Sequence, residues 1–320
     1  MKKKLKIPVK SRETATLCFA RFLRVKRADG ITQKTIDTYL QHFSAIGKHL
    51  DTEKAVSEIE EIDLKLMILS MQESGLAANS IRSYTATLKS FFSWCNNEGI
   101  TDLNLKKYRA EETIKETYST SELSLLLKKP NMKTCSFSEY RNWVIENFLV
   151  NCGCRAATVR NIKNRDVDLE NRVIYARHTK NKKALIIPLC SQMINILIDY
   201  MSIRGGKLDD YLFPNEYGEM LTENALRCTI AKYNKRRGVQ KTSIHLFRHT
   251  FAKMYLMDCG GNALMLQKLL GHSTLDMTRH YCEIFDAELT RDFDSFSPLS
   301  KLTSNSERLK MPKAKNNTQL

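Results

Sequence analysis

Apolar residues recur at helical spacing through the first hundred positions. Between positions 32 and 50 they return every three or four residues, which is the pattern of a helix with one buried face. A second stripe of this kind extends from Ile81 to Cys95, and weaker helical patterns occupy positions 14–26 and 56–72. The first hundred residues are therefore predicted to form a compact bundle of about four helices.

Two polar or flexible residues mark the predicted limits of the second stripe. Asn79 precedes it and is the predicted N-cap, because a short amide side chain can accept a hydrogen bond from the first turn. Gly99 follows it and is predicted to end the helix. The exposed positions of these helices carry Lys34, Arg82 and Lys89, which could bind phosphates.

The helical pattern lapses between positions 101 and 117, where charged residues predominate as in a linker. Ser119 and Glu122 then form a predicted capping box, which places the start of a new helix and a new domain near Ser119. The predicted divisions are a basic N-terminal extension (1–10), a helical domain (11–104), a linker (105–118), a second domain (119–298) and a basic flexible tail (299–320).

Two short β-prone runs interrupt the helical pattern of the second domain. Residues 172–176 and 184–189 are joined by a polar segment, 178–183, and this arrangement predicts a β-hairpin. Helical patterns resume on both sides. The predicted fold class is therefore α+β, mainly helical with one small β-sheet.

The net charge of the chain indicates the class of molecule that it binds. The chain has 320 residues, with 51 Lys and Arg against 35 Asp and Glu, a net charge of +16. Such a positive field suits a polyanion, and nucleic acid is the leading candidate. Membrane insertion is not expected, because no apolar run approaches the roughly 20 residues of a membrane span. The basic start is not followed by the apolar stretch of a signal peptide, so we expect a cytoplasmic protein.

The nine cysteines are an odd number without a paired framework, so reduced thiols are predicted. Cys152 and Cys154 form the closest pair. Their single-residue gap differs from the two-residue gap typical of zinc knuckles, so both are predicted to be core residues.

Four separated segments carry the residues of greatest chemical interest. The first is Gly-Cys-Arg at 153–155, and the second is the predicted hairpin tip with Lys180. The third is Ile-His-Leu-Phe-Arg-His-Thr-Phe-Ala at 244–252, and the fourth is Leu-Gly-His at 270–272, followed nine positions later by Tyr281. In this order they resemble the motifs of the tyrosine recombinase (phage integrase) family, and the resemblance covers nearly the whole chain.

The resemblance implies a helical core-binding (SAM-like) domain followed by a catalytic domain. Thr158 departs from the family pattern, because many members have a glutamate three residues after the first arginine; the support of that arginine here is therefore open. The residues implied to be catalytic are Arg155, Lys180, His245, Arg248, His272 and the nucleophile Tyr281.

The residue types fit phosphoryl transfer. Arg155 and Arg248 carry permanently charged guanidinium groups that can bind the non-bridging oxygens of a phosphodiester. His272 follows Gly271, a predicted helix-ending residue, and can donate a hydrogen bond to the phosphate from that turn. The phenol of Tyr281 is mostly protonated at neutral pH, so it needs a base.

Two residues are assigned to proton transfer. His245 is the predicted base for the phenol, and Lys180 is the predicted acid for the departing 5′ oxygen. A metal site is the alternative for the histidines, since His245 and His249 stand four positions apart, but the glutamate of a His-Glu-x-x-His motif is absent. His249 is better explained as a packed structural histidine, and neither metal nor cofactor is required.

The resemblance implies a site-specific recombinase that cuts double-stranded DNA through a 3′-phosphotyrosyl link. Such enzymes act as homotetramers on two synapsed sites with inverted repeats and pass through a Holliday junction. The run Thr-Arg-His-Tyr-Cys-Glu at 278–283 differs from the Gln-Ile-Tyr-Thr-His usual in Xer recombinases, which resolve chromosome dimers. It favours the integrase of a mobile element over the Xer alternative. A non-catalytic helical DNA-binding regulator is the alternative of another class.

Overall fold

The computed structural model describes residues 13–106, 108, 116–177, 184–275 and 278. The chain divides into two compact units, Met1–Thr113 and Ile114–Leu320. Within the described residues, the first unit holds four α-helices, as the apolar stripes predict. They are α1 (Ala15–Ala28), α2 (Gln33–Ile46), α3 (Glu61–Glu73) and α4 (Ala78–Glu98), with a 3₁₀ turn at Val56–Glu58 before α3.

Aromatic rings fill the core of the first unit. Phe19 of α1 stacks on Phe43 of α2 with ring centroids 3.9 Å apart, and Phe91 of α4 meets the edges of Phe19 and Phe22 at 5.3 and 5.7 Å. Such offset and edge contacts add to the area that the rings bury. The apolar faces of α1, α2 and α4 therefore meet in one core.

The limits of α4 test two sequence predictions. Gly99 ends the helix in the left-handed conformation, with φ of 74°, which confirms its predicted role. The prediction of Asn79 as N-cap is wrong, because the helix begins at Ala78 and its N-cap is Ala77. Alanine has the highest helix propensity, so the helix begins before the polar residue and places Asn79 inside its first turn.

The described part of the second unit contains seven α-helices, a 3₁₀ turn at Asn164–Asp166 and a three-stranded antiparallel sheet. Its strands, in the order β1-β2-β3, are β1 (Val167–Asp168), β2 (Val173–Ala176) and β3 (Leu185–Pro188). Its helices are α5 (Thr120–Leu126), α6 (Phe137–Cys152), α7 (Ala156–Asn161), α8 (Ser191–Arg204), α9 (Glu223–Arg236), α10 (Ile244–Met257) and α11 (Ala263–Leu270).

The sheet confirms the predicted hairpin and adds one strand to it. Strands β2 and β3 pair in antiparallel register, with Tyr175 opposite Ile186. Strand β1 has two residues, too few to show alternation, and the sequence pattern missed it. The predicted hairpin tip, 178–183, lies outside the described residues, as do the N-terminal extension, positions 1–10, and the basic tail, positions 299–320.

The capping box at the start of α5 is present as predicted. The backbone N–H of Ser119 donates to the Glu122 carboxylate at 2.7 Å, and the N–H of Glu122 donates to Oγ of Ser119 at 3.2 Å. These reciprocal bonds satisfy donors that an open helix end leaves unpaired.

Helix α6 lies in the core of the second unit. Cys152 and Cys154, at and just beyond its end, are buried, which confirms their prediction as core residues, and the eight described cysteines are free thiols. Glu146, also on α6, is fully buried, and neither carboxylate oxygen has a hydrogen-bond partner among the described residues. Burial raises the pKa of the Glu146 carboxyl well above its usual value, although the Arg237 guanidinium opposes the shift. The neutral acid is therefore the form that the core accepts.

Among the described residues, none of the helices combines the length and the apolar character that crossing a bilayer requires.

Candidate active site

Arg155 lies at the sharp turn between α6 and α7. Helix α6 ends at Gly153, which adopts the left-handed conformation with φ of 57°, and Arg155 is the extended N-cap residue of α7. A side chain at position 153 would meet Phe251 of α10, because a Cβ built there lies 2.6 Å from its Cδ1. Glycine therefore permits both the turn and the close approach of α10 to it.

His272 lies at a second glycine turn, at the end of α11. Gly271 is left-handed with φ of 61°, its N–H donates to the Lys268 carbonyl, and the N–H of His272 donates to the Gln267 carbonyl, both at 3.0 Å. These two bonds form a Schellman motif. The predicted role of Gly271 as a helix-ending residue is confirmed, and the backbone of His272 is fixed by the end of α11.

Arg155 and His272 line one cleft of about 490 Å³. The cleft also contains Lys268 of α11 and Thr158 of α7, together with apolar residues from β3 and α11. Arg155 and Lys268 give it two basic side chains, and no Asp or Glu is among the described residues that line it. The charge of the cleft therefore favours an anion.

The side chain of Arg248 bonds to both glycine turns. Its side chain is buried, with 6% exposure; Nη1 donates to the Gly153 carbonyl at 3.0 Å and Nη2 donates to the Leu270 carbonyl at 2.9 Å. A guanidinium carries five N–H donors in a planar fork, and these bonds use two of them. The side chain of Arg248 thereby couples the position of Arg155 to that of His272.

His245 lies on the same helix as Arg248 but is exposed in the first turn of α10. It is not among the described residues that line the cleft. His249 is half-buried on α10. Lys180 and Tyr281 lie outside the described residues, although β3, which comes after the hairpin tip, contributes to the cleft wall.

Apolar packing holds α11 against α10. Ala252 of α10 is buried against Leu266 and Leu270 of α11, with Phe251 and Tyr255 at the edge of this cluster. The start of the unit also binds α10, because the N–H of Tyr118 donates to Oγ1 of Thr250 at 2.8 Å. The helix that carries His245 and Arg248 is therefore fixed from two sides.

Two residues near the site were missed by the sequence reasoning. Lys268 lines the cleft, and Thr278 holds Nδ1 of His272 through its Oγ1 at 2.8 Å. Their positions in the sequence could have indicated both residues. Lys268 stands three residues before Gly271, and Thr278 stands three residues before Tyr281. Among the described residues, no group of three or more His, Cys, Asp or Glu side chains is arranged to hold a metal ion.

The first unit presents exposed cations and a polar groove on the same two helices. Lys34 lies on α2 and Arg82 and Lys89 on α4, all exposed. The groove, about 390 Å³, is lined by side chains of α2 and α4, and these include His42 and Tyr84, whose rings meet edge to face at 5.0 Å. Burial lowers the pKa of the His42 imidazole, which lies 2.7 Å from Oγ1 of Thr87. The groove thus offers neutral hydrogen-bonding groups, and the three cations predicted to bind phosphates lie on the same two helices.

Comparison with known proteins identifies the family. Residues 119–288 match the phage integrase family, and residues 19–99 match the phage integrase N-terminal SAM-like domain. The tyrosine recombinase XerC of Thermodesulfovibrio yellowstonii is 27% identical over 293 residues, which cover 87% of this chain and 94% of the relative.

Solved structures share the fold. The Tn1549 transposon integrase in complex with a circular intermediate DNA matches with a TM-score of 0.70 and 20% identity, covering 87% of this chain and 99% of that one. A lambda integrase tetramer bound to a Holliday junction matches with a TM-score of 0.68 and 18% identity, covering 85% and 78%. The predicted architecture, a SAM-like helical domain and a mainly helical catalytic domain with a small sheet, is confirmed. The chain belongs to the phage integrase family and is a tyrosine recombinase, an enzyme that cuts and rejoins DNA.

Proposed function

We propose that the protein is the site-specific integrase of a mobile genetic element and that Arg155, Arg248 and His272 bind the scissile phosphate. One observation carries the assignment of the site: Arg155 and His272 line a single cleft, and Arg248 bonds to backbone carbonyls at both turns that hold them. Charge accumulates on the non-bridging oxygens during an in-line displacement, and fixed cations and N–H donors stabilise that charge.

The reaction proceeds in two balanced transfers. The Tyr281 oxygen attacks the phosphorus, a 3′-phosphotyrosyl bond forms, and the bond from phosphorus to the 5′ oxygen breaks. His245 accepts the phenolic proton, and Lys180 donates a proton to the departing 5′ oxygen. In the second transfer, the 5′ hydroxyl of the partner strand attacks the phosphotyrosine, a new phosphodiester bond forms, and the bond from phosphorus to the Tyr281 oxygen breaks. Lys180 takes up the hydroxyl proton, and His245 returns the phenolic proton to Tyr281. The link conserves the energy of the phosphodiester, so neither ATP nor a metal is required by these residues.

Double-stranded DNA with inverted repeats is the proposed substrate. The net charge of +16 supports a polyanion, and we assign Lys34, Arg82 and Lys89 to phosphates beside the polar groove of α2 and α4. We also propose a helical DNA-binding domain at 11–104, a linker at 105–118 and a catalytic domain at 119–298. A homotetramer on two synapsed sites, within the cytoplasm, completes the proposal; the lambda integrase tetramer on a Holliday junction supports that assembly.

Resolution of chromosome dimers is the second candidate function. It is favoured by the match to a XerC recombinase over 87% of this chain. Deletion of the gene separates the two functions. If the protein is an element integrase, the deletion should abolish the junction that forms when the excised element closes into a circle, measured by amplification across the element ends. Chromosome segregation should stay normal. If the protein is a chromosomal recombinase, the circular junction should persist and chromosome segregation should be defective.

Covalent capture on DNA tests the chemistry. The probes are nicked suicide duplexes tiled across the DNA that flanks the gene, because a nick beside the scissile phosphate traps the phosphotyrosyl link. We expect the wild-type protein to give a shifted band on a denaturing gel. Tyr281→Phe should bind the same duplex without forming the band, because it lacks only the attacking oxygen.

The matched control is Tyr217→Phe, which removes the hydroxyl of an exposed tyrosine in the same unit and should keep the band. A covalent band from Tyr281→Phe would contradict the nucleophile assignment. Binding without any covalent band from the wild-type protein would favour the non-catalytic regulator.

A further inference from the structure

The imidazole of His272 is held by a buried threonine that the proposed reaction does not use. Nδ1 of His272 lies 2.8 Å from Oγ1 of Thr278, and Thr278 has no exposed surface. The backbone of Thr278 is itself fixed, because its N–H donates to the Leu275 carbonyl at 2.8 Å. With the Schellman bond to Gln267, the histidine is held at its backbone and at one ring nitrogen.

The chemistry of a hydroxyl matters at this position. A carboxylate or carbonyl partner can only accept a hydrogen bond, so it selects the neutral imidazole with its proton on Nδ1. A hydroxyl can also donate. When it donates to Nδ1, the neutral ring carries its proton on Nε2 and that nitrogen becomes a donor. When the ring is protonated, the hydroxyl accepts from Nδ1–H, and Nε2–H is still a donor.

The positive charges of the cleft bear on the protonation of the ring. Among the described residues, Arg155 and Lys268 line the same cleft, and Arg248 binds the Leu270 carbonyl two residues before His272. All three are cations, and like charges disfavour an additional charge on the ring. A neutral imidazole can donate to a phosphate from Nε2 only in the tautomer that an Nδ1 donor stabilises.

We propose that Thr278 is a positioning residue for recombination: its hydroxyl donates to Nδ1 of His272 and keeps Nε2 protonated for the hydrogen bond to the DNA phosphate. The inference rests on the proposed role of His272 as a phosphate ligand. Thr278 also stands three residues before Tyr281, so one short segment carries both the nucleophile and the group that sets the tautomer of the phosphate ligand.

Nitrogen NMR of the full-length protein, labelled with ¹⁵N-histidine, tests the tautomer without any DNA. The His272 signals are assigned by their absence in His272→Gln. We expect the Nε2–H tautomer in the wild-type protein and in Thr278→Ser, and a mixture with the Nδ1–H tautomer in Thr278→Val. The control Thr85→Val removes another buried hydroxyl, bonded to the Ile81 carbonyl at 2.9 Å, and should leave the His272 signals unchanged.

The rate of covalent complex formation tests the consequence. We compare each variant with the wild-type protein on the same suicide duplex at pH 8. Loss of one hydrogen bond should slow Thr278→Val by roughly fivefold to tenfold at pH 8. Thr278→Ala, which also lacks the hydroxyl, should be slowed by a similar factor. Thr278→Ser should stay close to the wild-type rate.

The outcomes separate this inference from the proposed function. An Nδ1–H tautomer in the wild-type protein, or a Thr278→Val rate equal to that of Thr278→Ser, would overturn the role of Thr278. If Thr278→Val fails to fold, Thr278→Ser and Thr278→Ala differ by the hydroxyl alone and make the same comparison. A wild-type protein that forms no covalent complex would count against the proposed function, whereas the NMR result would still decide the tautomer.

Discussion

Replacing Gly153 by alanine tests whether the turn before Arg155 depends on the close approach of α10. The added methyl group would lie 2.6 Å from Cδ1 and 2.9 Å from Cβ of Phe251. The Cβ atom is fixed to the α10 backbone and cannot rotate away, so the helix itself must shift. Helix α10 carries His245 and Arg248, and the Gly153 carbonyl accepts from Arg248, so the same shift disturbs the site.

The expected cost has two parts. A left-handed alanine costs roughly 1–2 kcal/mol, and overpacking of a close contact costs a further ~1–3 kcal/mol. The free energy of unfolding should therefore fall by about 2–5 kcal/mol. Cleavage of a suicide duplex should fall by about a hundredfold, because displacements near 1 Å in a catalytic group have effects of that size.

Gly238→Ala is the matched control. Gly238 has φ of 78° and no atom within 4 Å of a built Cβ, so alanine there carries only the backbone cost. Urea unfolding of both variants gives the steric part by difference, and single-turnover cleavage gives the catalytic part. The reasoning would be refuted if Gly153→Ala unfolded like Gly238→Ala and cleaved at the wild-type rate.

Three further outcomes are expected. Lys268→Ala should lower the slope of DNA affinity against salt by roughly one. Lys253 is an exposed lysine of α10 outside the cleft, so Lys253→Ala should leave the slope unchanged. Equal slopes for the two variants would show that Lys268 does not contact DNA. Because burial raises the pKa of Glu146 in the folded state, the folded protein binds the extra proton, and the contribution of Glu146 to stability falls as pH rises above the ordinary glutamate pKa of about 4.3. In urea unfolding, the free energy of unfolding of Glu146→Gln should increase relative to that of the wild-type protein between pH 5 and pH 8. A difference that stays constant over this range would contradict the buried-acid explanation. Cleavage should survive EDTA; loss that zinc restores would revive the metal alternative for the histidines.

The elements that could be predicted are those specified by local sequence. Apolar residues at helical spacing indicated the four helices of the first unit, and the side chains of Ser119 and Glu122 indicated the start of α5. Gly99 and Gly271 could be placed because a left-handed residue after a helix strongly favours glycine. In each case a few neighbouring residues contain the whole signal.

Other features depend on packing between distant segments. Arg155 and His272 come together because α6 and α11 both end at glycine turns against α10, and this arrangement has no counterpart in local spacing. The Asn79 prediction failed because a nearby alanine extended the helix past a good capping residue. Strand β1 is recognisable only through its pairing with β2, in which Val167 lies opposite Ile174.

The two bonds of Arg248 show how a buried cation organises this site. The Leu270 carbonyl lies at the end of α11, where backbone acceptors lack partners within the helix and carry partial negative charge. The Arg248 guanidinium compensates that charge and the Gly153 carbonyl with two of its donors. Because those bonds fix the plane of the guanidinium, a phosphate bound by Arg248, as proposed, would meet a cation that needs little reorganisation. A lysine has a single ammonium in place of the planar fork, so it could not hold both turns with the same geometry.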